Sequence, residues 1–145
     1  MDSDHFRKLE NMYAGARINQ FFRPRLSIQL GQAELRISIR PDFFHAAGAT
    51  HGSVYFKAMD DSAFFAAASL VEDVFMLTTS YNLHLFRPIT AGEMIARGTV
   101  VHQTRSAILA ESVLVDGDGN PLARGSGTFI RSQIALTAEI GYRLS

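Results

Sequence analysis

The chain contains no cysteine. Disulfides, thiolate metal centres and a cysteine nucleophile are therefore excluded. It also lacks net charge. Fourteen basic residues balance fourteen acidic ones, so no long-range field draws the protein to nucleic acid. No stretch of about 18 apolar residues is free of charge, which argues against a membrane span. Residues 1–8 mix charges of both signs and lack the apolar segment of a secretion signal, so a soluble cytoplasmic protein is expected. A glycine-rich phosphate loop, a Gly-x-Ser-x-Gly elbow and a His-Glu-x-x-His pair are all missing, and no metal site is expected. Asp116-Gly117-Asp118-Gly119-Asn120 begins like a calcium loop. Its twelfth place is Gly127 where the closing Glu would stand, so it reads as a hairpin turn.

What is present centres on one segment. Residues 52–71 are rich in Ala, Met, Leu and Phe, have no proline, and have no glycine after the first position. This suits a buried helix about 30 Å long. Asp60 and Asp61 lie inside it, and carboxylates are costly to bury. Lys57 stands four residues before Asp61, so those two can pair on the helix surface. Asp60 then faces its surroundings with less compensation. An acid in an apolar cleft has a raised pKa, which suits a general base or a nucleophile near neutral pH. An Asp that bonds loop backbone is the competing reading. His51 precedes the helix, and His45 lies six residues earlier; each also reads as a loop histidine bonding backbone. Gly52 opens the helix, where unpaired N–H groups can meet a developing oxyanion. Twelve of the fourteen basic residues are Arg; solvated surface explains them, and so does bidentate phosphate binding.

The rest of the chain frames this helix. Residues 3–22 carry Phe6, Leu9, Met12, Tyr13, Ala16 and Ile18 on one helical face, with Ser3 or Asp4 as cap and Arg23-Pro24 as the stop. Residues 26–30 and 33–39 alternate around Gly31 as a strand pair. Four longer strands are expected over 75–86, 94–102, 106–115 and 122–131, and the tail 132–145 is ambiguous. The division is an N-terminal helix (1–24), a core (25–132) and a tail (133–145) in a single domain. The economical architecture is an α+β fold with one antiparallel sheet wrapped around one long central helix.

Spacing adds one deduction. Gly52 and Asp60 are eight residues apart, about 12 Å along a helix. One carbonyl cannot lie within about 3 Å of both groups of one chain. Either one assignment fails, or the site combines Gly52 of one subunit with Asp60 of another.

His51-Gly52-Ser53-x6-Asp60, then Asn82-x4-Arg87-Pro88, Val101-His102-x2-Arg105, and Ala123-x-Gly125-x-Gly127-Thr128-Phe129 together resemble the hotdog-fold acyl-CoA thioesterases, in their PaaI-like (phenylacetic acid degradation) branch. The resemblance covers roughly residues 26–131. It implies that Asp60 is catalytic, that the Gly52 N–H polarises the thioester carbonyl, and that Thr78 orients the water or the Asp. It implies sites shared between two subunits of a homodimer, often paired into tetramers. The substrate would be a small-molecule acyl-CoA, with no cofactor beyond the CoA it brings. His51 would hold the loop, with His45 near the carbonyl or the water. Arg87 and Arg105 would meet the CoA phosphates, with Ser53 and Phe64 also at the substrate. The chain departs from that pattern at His45, where the branch usually has Asn, and at Ser53, where it usually has a second Gly. Two other functions stay open from sequence: a non-catalytic acyl-CoA-binding protein, and a hotdog hydratase or dehydratase of enoyl thioesters. The acyl group is not legible, since core packing explains Phe64, Phe65, Met59 and Met76 equally well.

Overall fold

The computed structural model describes residues 3–145, with Ser3 described by its backbone only. The capping role assigned to the Ser3 side chain thus lies outside the described atoms. Helices α1 (Ser3–Gly15) and α2 (Ile18–Phe22) come first, followed by strands β1 (Arg25–Gln29) and β2 (Gln32–Ser38). Helix α3 (Gly52–Ala68) precedes β3 (Val74–Leu85), β4 (Glu93–Gln103), β5 (Ile108–Asp116) and β6 (Pro121–Ala135). Among the described residues the strands form one antiparallel sheet in the order β1-β2-β4-β5-β6-β3. β3 follows the helix in sequence yet closes the far edge of the sheet.

Alternation explains the sheet's inner face. On β2, Ala33, Leu35 and Ile37 are buried, while Glu34 and Arg36 between them are only partly covered. Helix α3 lies against that inner face. Ala58, Met59, Ala63, Ala66 and Ala67 are all fully buried, as expected for a helix apolar on nearly every side. Its small side chains let the sheet approach closely. At Gly98 of β4 a Cβ would run into the Ser62 carbonyl, so glycine is required there by contact with α3. α1 packs on β1. Among the described residues no helix is long and apolar enough to cross a membrane.

Three expectations are corrected. The first helix is not continuous to residue 22, because it breaks between Gly15 and Ile18. The Asn19 amide donates to the Tyr13 carbonyl at 2.7 Å, the acceptor that a continuing α-helix would offer to residue 17. The central helix ends at Ala68, although apolar residues continue to Val71. The Ser69 hydroxyl donates to Ala66 O and accepts from Gly31 N–H, and Leu70 and Val71 donate three residues back in tight turns. The last strand extends beyond Arg131 to Ala135, where it pairs with Val74, so part of the ambiguous tail belongs to the sheet.

Candidate active site

The N-terminus of α3 is held by a compact loop. His51 N–H donates to Phe43 O at 2.8 Å, and both Thr50 N–H and Thr50 Oγ1 donate to Ile89 O. His45 N–H donates to Ala49 O and Gly48 N–H to His45 O, with Gly48 at φ +85° turning the chain. The exposed His45 ring accepts Ala47 N–H on Nδ1 at 3.1 Å. His51 is the helix cap: its Nδ1 accepts from Ser53 N–H at 3.0 Å and lies 2.8 Å from Ser53 Oγ. The Ser53 hydroxyl is thereby turned back onto the cap. Ser53 and Val54 both spend their N–H groups on His51. The Gly52 N–H takes no part in this cap, as the first donor of a helix usually does not. A Cβ on Gly52 would meet nothing within 4 Å in the same chain.

Two turns further along α3, Asp60 is partly buried and accepts a hydrogen bond from Thr78 Oγ1 of β3 at 2.9 Å. Burial is the main influence on this acid and raises its pKa to about 6. The Thr78 hydroxyl and Lys57 oppose that rise, and the neighbouring Asp61 charge adds to it. Asp61 itself is well supplied. Lys57 Nζ lies 2.7 Å from Asp61 Oδ2, and the Tyr13 hydroxyl donates to the same oxygen at 2.5 Å. The expected Lys57–Asp61 pair is present, but not on the surface: the side chains are 15% and 16% exposed. Lys57 Nζ stands 5.1 Å from the Tyr13 ring centroid and 5.3 Å from that of Phe22. Burial and the Asp61 carboxylate push the Tyr13 hydroxyl far above the usual phenol range, so it remains a donor.

Asp60, Thr78 and Phe64 line one cavity of about 970 Å³. α1 and α2 wall it with Met12, Tyr13 and Ile18, β3 with Leu77, and the C-terminal segment with Ile140 and Leu144. That segment is tied to α1: Asn11 donates to Arg143 O and Leu144 O, and His5 bonds Tyr142. Within one chain the remaining predicted residues lie elsewhere. His45, His51, Gly52 and Ser53 cluster at the α3 N-terminus. Arg87 is exposed at the same end, where its carbonyl accepts from Tyr55 OH at 2.8 Å. Arg105 is exposed in the β4–β5 turn, at the sheet end where Ile108, Phe129 and Thr78 are in register. Sequence reasoning did not bring Tyr13 to Asp61. Its place on the apolar face of the first helix was visible, but a contact across 48 residues carries no local signal.

The fold defines a class, the hotdog proteins, here with a carboxylate on the central helix lining an open cavity. A sequence profile of the thioesterase superfamily matches residues 47–123, more than half of the chain, and the chain belongs to that superfamily. It is 22% identical over 104 residues to a Saccharolobus solfataricus protein that bears the provisional name of an esterase, covering 72% of this chain and 74% of that one. Its fold matches the E. coli PaaI protein of the phenylacetic acid degradation operon with TM-score 0.81 at 17% identity, over 92% of this chain and 99% of the other. A thioesterase family protein of Silicibacter pomeroyi matches with TM-score 0.78 at 21% identity, over 86% and 95% of the two chains. The resemblance read from the sequence therefore holds for family and fold.

Proposed function

We propose that the protein hydrolyses an acyl-CoA thioester to the free acid and CoA, with Asp60 as its base. The observation that carries this reading is a carboxylate with a raised pKa, steadied by Thr78, on the wall of a largely apolar cavity. Asp60 takes a proton from water as the oxygen adds to the thioester carbonyl carbon. The carbon–sulfur bond then breaks, and the departing CoA sulfur receives the proton. Alternatively the carboxylate attacks directly and water opens the mixed anhydride. The oxyanion needs a donor, and the Gly52 N–H suits it. The Gly52 N–H of the same chain is about 12 Å away along the helix, so the donor belongs to a second subunit. Open space around Gly52 supports an approach from outside the chain. So does the edge strand β3, whose twelve residues leave Leu77 and Leu85 exposed, with Phe86 exposed just beyond. An unpaired strand edge of that length is suited to pairing with its own copy in a homodimer.

In this assembly His45 of the partner chain stands near the carbonyl or the water, His51 holds the loop, and Phe64 lies against the acyl group. Arg87 and Arg105 face the CoA phosphates. CoA arrives with the substrate, no resident cofactor or metal takes part, and the cytoplasm is the expected compartment. The test is thiol release across aryl-acyl and C2–C16 acyl-CoAs, comparing wild type with Asp60→Asn. Turnover of at least one thioester, lost in the variant, is expected. Acyl-CoA binding without thiol release would make the protein a binding module instead. Single turnover in ¹⁸O-water tests the anhydride route, because label in the Asp60 carboxylate requires water to open an anhydride at the Asp60 carbonyl carbon.

A further inference from the structure

We propose that α1 and α2 are a working part of the site, in that Tyr13 and Phe22 commit Lys57 to Asp61 and so deny Asp60 a counter-ion. This rests on the reading of Asp60 as the base. Lys57 is three residues before Asp60 and four before Asp61, and from the helix alone it could serve either. The structure shows one choice, with Nζ 2.7 Å from Asp61. Three contacts from outside α3 favour that choice. The Tyr13 hydroxyl brings a second donor to the same Asp61 oxygen, and the Tyr13 and Phe22 rings hold the ammonium from the α1–α2 side. Asp60 is left with a neutral donor, Thr78. Neutrality matters chemically, since a base pinned by an ammonium is weak and must break an ion pair to accept a proton.

The groups that bear on Asp60 can be named by element. Tyr13 comes from α1, Lys57 and Asp61 from α3, and Thr78 and Tyr81 from β3. Glu139 and Arg143 line the same cavity from the C-terminal segment. Tyr81 is held against Ser112 and stays protonated, its hydroxyl pushed up to about 12 by burial. Lys57 and Asp61 are the charged groups that act on Asp60 directly, and their effects have opposite sign. Tyr13, Phe22, Lys57 and Asp61 are therefore positioning residues, and the two charges make the idea testable by direction.

The experiment titrates the Asp60 carboxyl by ¹³C NMR in the full-length protein, with Asp60→Asn assigning the signal, alongside the pH dependence of kcat/KM. Asp61→Asn frees Lys57 to pair with Asp60, and the midpoint should fall by about one pH unit, tenfold in proton affinity. Lys57→Met leaves Asp61 uncompensated, and the midpoint should rise by about as much. Lys57→Arg should restore the wild-type midpoint. Tyr13→Phe combined with Phe22→Leu should lower it, by less than Asp61→Asn. If Lys57→Met does not fold, Lys57→Gln replaces it with the same expected direction. A midpoint that stays put in the Tyr13→Phe, Phe22→Leu variant, or that moves the same way for Asp61→Asn and Lys57→Met, overturns the proposal. The NMR midpoint judges this inference even without turnover. An Asp60→Asn variant that still hydrolyses substrate would instead overturn the functional reading.

Discussion

Asp60 is a destabilising residue where it stands. Its pKa is raised from the ordinary carboxylate value of 3.8 to about 6, chiefly by burial. The folded state thus binds the proton more tightly than the unfolded chain does. Through this group stability is highest below about pH 4, falls as pH rises to about 6, and is flat above. Asp60→Asn removes the ionised form while keeping an oxygen for Thr78. The variant should be more stable than wild type at pH 8 by about 1–3 kcal/mol and should lose that gain near pH 4, as thermal melts at the two pH values will show. With Asp60 as the proposed base, the same raised pKa would set the acid limb of activity, so kcat/KM should fall below about pH 6. Gain of stability with loss of turnover is the trade-off expected of a working acid. Equal melting temperatures at pH 8 would mean that Asp60 is not strained by its burial. At this scale the sequence was partly readable. A carboxylate within an apolar run marks itself, and the i, i+4 rule assigned Lys57 to Asp61. Thr78 was reached by family resemblance, because no spacing rule links a helix residue to a strand eighteen positions on. His45 and His51 read as loop histidines bonding backbone, and both do so.

Elements were legible where periodicity decided them and indistinct where side chains ended them. The turns flanking the strands stood out because glycine, proline and charge interrupt alternation. The two helix ends misjudged from composition are set by Asn19 and Ser69, whose side chains occupy backbone partners. A polar residue within an apolar stretch does not announce that role. Gly98 was silent too, since a glycine in a strand pattern has several uses. Its contact with Ser62 makes a sharp prediction. Gly98→Ala places a methyl group where the backbone of α3 already lies, and neither element can yield without shifting the other. The cost should be about 3 kcal/mol or more, lowering the melting temperature by roughly 6 to 12 °C. A second prediction concerns how α1 is fastened. His5 is buried, and its ring bonds the Ala68 carbonyl at 2.9 Å and the Tyr142 hydroxyl at 2.7 Å. His5→Ala removes one hydrogen-bond partner from each, while Ala68 O keeps Val71 N–H, and should cost about 0.5–1.5 kcal/mol per bond in denaturant unfolding. Because α1 and the C-terminal segment wall the cavity together, hydrogen exchange should quicken in residues 136–145 of that variant.

At the scale of the whole molecule, the helix separates the proposed donor from the proposed base. Gly52 begins α3 and Asp60 lies two turns on, so a shared site is the geometry that lets both reach one carbonyl. Two variants test this without disturbing the fold. Gly52→Pro removes the N–H that the cap leaves unused. Proline is tolerated at a first helical position, and His51, at φ −64° and ψ 145°, already has the extended backbone favoured before proline. Asp60→Asn removes the base. Each variant homodimer should be nearly inactive, since both of its sites lack one group. Co-refolding the two at equal amounts makes about half the dimers mixed, each with one intact site built from Gly52 of the Asp60→Asn chain and Asp60 of the Gly52→Pro chain. The other site carries both lesions. Roughly a quarter of wild-type activity should therefore return, by independent-site arithmetic. Mass spectrometry under native conditions counts the mixed dimers, and thiol release counts the sites. A mixture that stays inactive while mixed dimers are present and folded would mean that Gly52 and Asp60 do not act on one substrate. The oxyanion would then need a donor from another element.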